Sequence, residues 1–398
     1  MGWLGIDDTD HLGGGCTTKS AHDLIQRLPP YVRVQGLRLV RLWPFAPGRT
    51  RGNAAVAMEL HCDDVPALLT HLNREWEEHL QPLKGALSSS HHSDRHQHPA
   101  DPGMVWFDSP PSPSFYLDAV RSLVDLGSVP TATRAWGGEG RIGATAAVAW
   151  PSKNATYEAI AWRSNGATGP RMVDASALNC VDQMKGTFLS RDPRNGSSLV
   201  APRGPSPVLF GVRATTSEVA GHAATVIAEG LDTEPLEDWR CFETNQASGD
   251  HLDGSVVAQV MSVEVHPKRK HARLMTDAGP MVAYAESGDV NRLARWLKAG
   301  DAIESRGLTD RTGTLHIEQL RLQSARPRGK SRPPCPQCGR RMKSMGQQQG
   351  LRCPACKHRS PKGWVDVASV PPFTGWVEPP ANARRHLAKP LEWSNMTQ

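Results

Sequence analysis

The sequence predicts an α+β chain of several domains, and three observations carry that prediction. Over residues 3–79, apolar strands and helical spacings follow in the order β-α-β-β-α, the order of a ferredoxin-like unit. Over residues 255–322, five strand-like segments surround one helix placed between the third and fourth, the pattern of an OB-fold barrel. Near the C-terminus, Cys335-Pro336-Gln337-Cys338 and Cys353-Pro354-Ala355-Cys356 form two C-x-x-C pairs with 14 residues between them, which is zinc-ribbon spacing. At 398 residues the chain has room for about two to four such domains.

Each element has its local reason. Residues 3–6 form a short apolar run and 19–28 have helical spacing. Residues 32–43 alternate as a strand does, 54–62 follow as another, and 65–79 return to helical spacing. Residues 85–103 are rich in Ser and His, including His91, His92, His96 and His98. Such a stretch reads as a flexible insertion that buries no core, with a metal-binding tract as the sharper alternative. A helix follows at 114–126, a glycine-rich loop at 137–143, an Ala-rich element at 144–150 and a strand at 157–163. Residues 174–184 read as a helix, 207–212 as a strand and 216–228 as a helix. The barrel strands are expected at 255–263, 272–276, 281–285, 302–306 and 315–322, with the helix at 289–298. The resulting domain map is 1–232, 254–325 for the barrel, 333–360 for the ribbon and 361–398 for a tail.

Composition narrows the function classes. No apolar run approaches the ~20 residues of a membrane span, and no secretory leader is read at the N-terminus, so the expectation is a cytoplasmic protein without a membrane partner. The net charge is +6, and basic residues concentrate between the barrel and the ribbon: Arg321, Arg326, Arg328, Lys330, Arg332, Arg340, Arg341 and Lys343. A solvated linker and a nucleic-acid surface both fit such a run. Four thiolates at Cys335, Cys338, Cys353 and Cys356 close a tetrahedral site, so the expected zinc is structural. Cys16, Cys62, Cys180 and Cys241 are scattered and read mostly as buried thiols in a reducing compartment. Nothing in the sequence sets the oligomeric state.

The densest chemistry lies at the start. Gly5-Ile6-Asp7-Asp8-Thr9-Asp10 places three carboxylates within four positions, and Gly13-Gly14-Gly15 then leads to Cys16-Thr17-Thr18. Hard oxygen ligands beside a glycine turn suit Mg²⁺ held against phosphate. The glycine spacing is not that of a P-loop. The plainer alternative is an acidic turn with an N-cap on the following helix. Arg49-Thr50-Arg51-Gly52-Asn53 offers two guanidiniums to a polyphosphate, or serves as a basic turn. In the 137–143 loop, Gly138, Gly140 and Arg141 would attract an anion if a helix starts there. Thr244-Asn245-Gln246 offers amide edges, to RNA or to a turn.

In their order, these motifs resemble the archaeal-type isoleucine-tRNA 2-agmatinylcytidine synthetase family. The resemblance rests on Asp7-Asp8-Thr9-Asp10, on Cys16-Thr17-Thr18, on the segment from Arg41-Leu42-Trp43-Pro44 to Asn53, and on Gly140-Arg141-Ile142-Gly143-Ala144. Residues 201–213 and Thr244-Asn245-Gln246 with His251-Leu252, followed by the barrel and the ribbon, complete it. Gly15 stands where the family often has a bulkier residue, and residues 88–98 and the tail depart from its pattern. The resemblance implies a kinase-like and ferredoxin-like catalytic region. It implies an ATP-dependent ligase that phosphorylates the C2 carbonyl oxygen of the wobble cytidine in a CAU-anticodon isoleucine tRNA and replaces that oxygen with agmatine. It makes Asp7, Asp8, Asp10, Thr17 and Thr18 the catalytic set, with Thr17 or Thr18 autophosphorylated. ATP and Mg²⁺ would be held with help from Arg49, Arg51, Asn53, Gly138, Gly140 and Arg141. Asp174 and Asp182 are candidates for holding agmatine. Two alternatives remain open at this point: a relative using another amine, and a non-catalytic nucleic-acid-binding protein.

Overall fold

The computed structural model describes residues 1–10, 15–49, 53–86, 98–202, 204–361 and 363–394. It divides into two compact units: Met1–Asp253 with Leu308–Thr312 and Pro380–Gln398, and Gly254–Gly307 with Gly313–Pro379. No helix among the described residues is long and apolar enough to cross a membrane.

The first unit opens with β1 (Gly2–Asp7), α1 (Thr17–Arg27), β2 (Arg33–Arg41), β3 (Ala54–His61), α2 (Val65–Glu75) and β4 (Gly103–Phe107). Their sheet order is β4-β1-β3-β2 with every pairing antiparallel, which is the split βαβ arrangement. β4 was not legible in the sequence. It is five wholly buried residues, Gly-Met-Val-Trp-Phe, lacking the alternation that marks a half-buried strand, and its first residue falls in the stretch read as an insertion. Positions 87–97 of that stretch, with His91, His92 and His96, lie outside the described residues, as do Arg51 and Arg203.

The chain continues through α3 (Pro113–Arg121), β5 (Arg134–Gly137), α4 (Gly140–Ala149), β6 (Thr156–Arg163), α5 (Ala175–Gln183), β7 (Thr187–Phe188), β8 (Val208–Ala214), α6 (Ser217–Ala228) and β9 (Leu236–Thr244). Part of the expected glycine-rich loop is therefore the edge strand β5. A parallel pairing of β2 with β9 joins both halves into one nine-stranded sheet. The sheet thus runs past residue 232, where the sequence reading ended the catalytic region. Alternation along the strands sorts the core. Leu4 and Ile6 of β1 with Val56, Met58 and Leu60 of β3 face one layer; Trp3, Ala55 and Ala57 face the other, against α3 and α4. Beyond β9, α5 and α6 cover Ala159, Ala161 and Phe210.

α4 is mostly Gly and Ala, and the reason is distance. A Cβ on Gly5 would fall 2.3 Å from the Ala144 carbonyl oxygen, and one on Gly103 would fall 2.0 Å from the Arg141 nitrogen. The helix therefore lies directly on β1 and β4, and its N-terminus is fixed at the end of β1.

In the second unit, β10 (Val256–Val265), β11 (Ala272–Thr276), β12 (Gly279–Ala283), α7 (Asp289–Trp296), β13 (Ala302–Thr309) and β14 (Leu315–Ser324) follow the expected order. The order β12-β11-β10-β13-β14 closes through a parallel β12–β14 pairing into a five-stranded barrel around Val260, Leu274, Ile303 and Ile317. β15 (Gly329–Ser331) pairs with β19 (Val365–Val367) and brackets the cysteine segment. That segment holds the small sheet of β16 (Lys343–Ser344), β17 (Leu351–Arg352) and β18 (Arg359–Ser360). β20 (Trp376–Val377) pairs with β14. The segment read as one tail is thus split: residues up to Pro379 belong to this unit and those from Pro380 to the first.

Candidate functional site

Two clefts meet at the end of β1. The first, about 740 Å³, is lined by Asp7, Asp8, Arg49, Asn53, Glu139, Gly140 and Gly143, among others. The second, about 1630 Å³, is lined by Asp10, Thr17, Thr18, Arg41, Asn53, Glu158, Arg213 and residues 384–386, among others. Asn53 is on both walls. The sequence-predicted carboxylates and hydroxyls are therefore brought together, Asp7 and Asp8 on one side and Asp10, Thr17 and Thr18 on the other.

β1 ends at Asp7, and Asp8 takes a left-handed conformation, φ 56°. Its Oδ2 accepts the Asp101 amide at 2.8 Å. Asp101 in turn caps α4: its Oδ2 accepts the Glu139 amide at 2.9 Å and its carbonyl accepts the Gly140 amide at 2.9 Å. The helix start thus faces the carboxylates, as the loop reading required. Its fit to Asp7 is close, since a Cβ on Gly143 would stand 1.9 Å from Asp7 Oδ2. Gly138 and Arg141 lie outside both walls. Gly138 packs against Asp101, and Arg141 Nε donates to the Gly138 carbonyl at 3.3 Å.

The electrostatics are those of crowded acids. Burial, then the Asp8 and Asp10 charges, push the Asp7 carboxyl well above the usual range. Burial foremost, with Asp10, Asp101 and Glu139, raises Asp8 to about 7 despite the Asp101 amide. Asp101 is also raised by burial, but the Glu139 amide and Lys84 outweigh that and leave it low. Hard-oxygen donors that repel one another in this way fit a divalent cation, which would relieve the repulsion.

Thr17 and Thr18 open α1 and are 4% and 5% exposed. Thr9 Oγ1 donates to Ser20 Oγ at 2.9 Å and lies 3.4 Å from Thr17 Oγ1. Thr18 Oγ1 accepts from Trp162 Nε1 at 3.3 Å and lies 3.0 Å from Cys16 Sγ. Arg49 Nη1 donates to the Ala46 carbonyl at 3.1 Å. Asn53, at φ 42°, donates to the Trp43 carbonyl at 2.5 Å.

Other residues were not legible as part of a site. In the second cleft the buried Glu158 is held by Arg41 Nη2 at 3.2 Å and Arg213 Nε at 3.4 Å. Gln246 Nε2 donates to Glu158, and Gln246 Oε1 meets His386 Nδ1 at 3.1 Å. Gln246 therefore orients His386 with the proton on Nδ1. The Arg41 charge, burial and Arg213 hold the His386 ring well below its usual range, hence neutral. His386 comes from the tail, so tail residues help build the second cleft. The sequence signal for this group was Gln246, and its neighbour Asn245 turns inward: Oδ1 accepts the Arg41 amide at 2.8 Å and Nδ2 donates to the Arg41 carbonyl at 2.9 Å.

Several expectations are corrected. Asp174 is a buried helix cap: Oδ1 accepts the Ser176 and Ala177 amides at 2.7 and 3.1 Å, and Oδ2 accepts the Asp232 amide at 3.1 Å. Asp182 is exposed, and neither lines either of the two clefts described above. Cys180 is exposed, and Cys16, Cys62 and Cys241 are half-buried at the edge of the core and not fully buried as expected.

In the ribbon, one sulfur from each of Cys335, Cys338, Cys353 and Cys356 lies within 4.8 Å of the others. The Cys356 amide lowers the Cys353 thiol, favouring the thiolate that zinc requires. The donor set fits one structural Zn²⁺.

Comparison with known proteins agrees with this geometry. Residues 3–137 match the TiaS TCKD domain, 138–251 the TiaS FLD domain and 332–365 the TiaS C-terminal zinc ribbon domain. The 2-agmatinylcytidine synthetase TiaS of Methanosarcina acetivorans, named for the second isoleucine tRNA, is 31% identical over 98% of this chain and 96% of its own. That of Methanosarcina mazei is 30% identical with the same coverage. Among solved structures, TiaS in complex with the second isoleucine tRNA and ATP aligns with a TM-score of 0.76 at 27% identity, over 98% of this chain and 97% of that one. The complex of TiaS with the same tRNA, AMPCPP and agmatine aligns at 0.75 and 25%, over 98% and 96%. With relatives matched end to end and three domain models falling on its catalytic half and ribbon, this chain belongs to the TiaS family.

Proposed function

We propose that this protein is an ATP-dependent ligase that joins agmatine to C2 of the wobble cytidine of the CAU-anticodon isoleucine tRNA, giving 2-agmatinylcytidine. Its relatives carry that name, and their solved complexes contain the second isoleucine tRNA, ATP and agmatine. The observation that carries the reading is the junction of two clefts at Asp7, Asp8, Asp10, Thr17 and Thr18. A carbonyl oxygen is a poor leaving group until phosphorylated, and phosphoryl transfer needs chiefly positioning and charge neutralisation.

The chain's residues divide that work. Asp7, Asp8 and Asp10 would hold Mg²⁺, which supplies neutralisation of phosphate charge when bound. The Arg49 guanidinium and the dipole of α4, whose opening amides are already taken by Asp101, Gly138 and Glu139, add positive charge on the phosphate side. These roles support a kinase-like reading of residues 3–137, with Thr17 or Thr18 as the proposed phosphoacceptor at the start of α1. The attacking amine forms the C–N bond to C2 as phosphate leaves with the C2–O electron pair. The barrel and the ribbon, with its zinc, hold the tRNA, whose cytidine must be unstacked to be reached.

The test is incorporation of radiolabelled agmatine into transcribed CAU-anticodon tRNA by the purified protein. The proposal expects incorporation that requires ATP and a divalent cation. Incorporation of a different amine in its place, or tRNA binding without ATP turnover, would overturn it.

A further inference from the structure

The barrel carries a surface that the catalytic chemistry does not use. Its β10–β11 turn, residues 266–271, reads His-Pro-Lys-Arg-Lys-His. The turn is shaped by its own first residue: His266 Nδ1 accepts the Lys268 and Arg269 amides at 3.3 and 3.0 Å. Lys270 then takes a left-handed conformation, φ 61°. All three cations of the turn are exposed.

Beside the turn runs a series of rings. His266 and His271 centroids are 6.4 Å apart, His271 meets Tyr284 edge-on at 5.0 Å, and Tyr284 lies 5.3 Å from His316. These rings come from the turn, from the residue after β12 and from β14, and their frame is fixed. His271 Nδ1 accepts the Ala285 amide at 3.0 Å, and His316 pairs with Val282 across the barrel closure. Tyr284 is 41% exposed. An acid, Glu286, stands 3.9 Å from His271.

A rigidly held, exposed aromatic ring next to a turn with three cations matches a base and the phosphates that follow it. The second and third strands and the first loop of an OB-fold are also the face that takes oligonucleotides. We infer that Tyr284, braced by His271 and His316, is a stacking platform for an unpaired nucleotide of the tRNA, with Lys268, Arg269 and Lys270 on its phosphates. This rests on the tRNA reading above and names the surface of the barrel that serves it.

The test measures binding of the full-length protein to CAU-anticodon tRNA, to a single-stranded octanucleotide and to a blunt RNA duplex. Tyr284→Ala should weaken tRNA and octanucleotide binding about 10- to 100-fold, and Tyr284→Phe should restore it, since stacking needs the ring and not the hydroxyl. Replacing all three turn cations with Ala should lower the salt-dependence slope for the octanucleotide by about 2. With tRNA saturating, Tyr284→Ala should keep the wild-type rate of agmatine incorporation while the KM for tRNA rises. An unfolding midpoint unchanged in Tyr284→Ala separates the stacking effect from misfolding. Unchanged affinity of Tyr284→Ala for the tRNA or for the octanucleotide, or an equal loss with the duplex, would overturn the inference. Wild-type protein that binds RNA through Tyr284 but never incorporates agmatine would sink the ligase reading and leave this surface standing.

Discussion

Replacing Gly143 with Ala should lower catalysis although the position is helical. By propensity alone the change favours the helix by about 1 kcal/mol, and the backbone at Gly143 is ordinary. The surroundings reverse the sign. The new Cβ would lie 1.9 Å from Asp7 Oδ2 and 2.7 Å from Leu42 Cδ1, whereas carbon and oxygen settle at about 3.3 Å or more. One group must therefore move by roughly 1.4 Å. α4 has little room to retreat, because Gly5 and Gly103 already let it rest on the sheet backbone. Overpacking of this kind costs about 1–3 kcal/mol, which leaves a net loss of about 0–2 kcal/mol once the propensity gain is counted. The larger effect is on rate: a 1 Å displacement of a positioned group costs about 100-fold. Gly221→Ala in α6 is the control, since its Cβ would meet only Trp239, with Cη2 nearest at 3.5 Å. It should stabilise by about 0.5–1 kcal/mol with activity unchanged. Urea unfolding and tRNA-dependent ATP turnover read both quantities. If Gly143→Ala turns over ATP at the wild-type rate, or is stabilised as much as Gly221→Ala, the contact between α4 and Asp7 does not organise the site.

Three further variants probe Asp8, the α5 cap and the ribbon. Asp8→Asn should abolish ATP turnover while tRNA affinity, measured by filter binding, holds; loss of both would make Asp8 a structural residue. Asp8 sits at about 7 against an ordinary 3.8, so its contribution to stability is full below about pH 4 and is lost as pH rises through 7. Metal-free Asp8→Asn should therefore be more stable than wild type at pH 8, by roughly 1–3 kcal/mol, with a smaller gain at pH 5; equal gains at both would refute the assignment. Asp174→Ala should cost about 1–2 kcal/mol as a lost cap without raising the KM for agmatine, and a raised KM would return Asp174 to the substrate. Replacing Cys335 and Cys338 with Ser should release zinc, seen by metal analysis, and weaken tRNA binding; retention of both would rule out the structural ribbon.

The sequence was most legible where periodicity and spacing are local. Alternation located β2 and β3, the five barrel strands came out in order, and the cysteine spacing found the ribbon cluster. Asp7, Asp8, Asp10, Thr17 and Thr18 are close in sequence, and the fold gathers them at one junction. What escaped is non-local. β4 is buried on both faces and has no period-2 signature. Asp101 reads as a loop acid until its amide meets Asp8, 93 positions away. Glu158 and His386 are ordinary polar residues until the parallel β2–β9 pairing and the returning tail bring them to Arg41 and Gln246. Asn245 offered an amide edge, and only the fold shows that it faces the β2 backbone.

The central claim is that the C2 oxygen of the wobble cytidine leaves as phosphate when agmatine replaces it. The direct measurement uses CAU-anticodon tRNA labelled with ¹⁸O at that oxygen, incubated with the protein, ATP, Mg²⁺ and agmatine, with every product weighed by mass spectrometry. The account predicts agmatine on the wobble cytidine and the ¹⁸O in released phosphate. Label found in AMP, released as water or still on the nucleoside would contradict it.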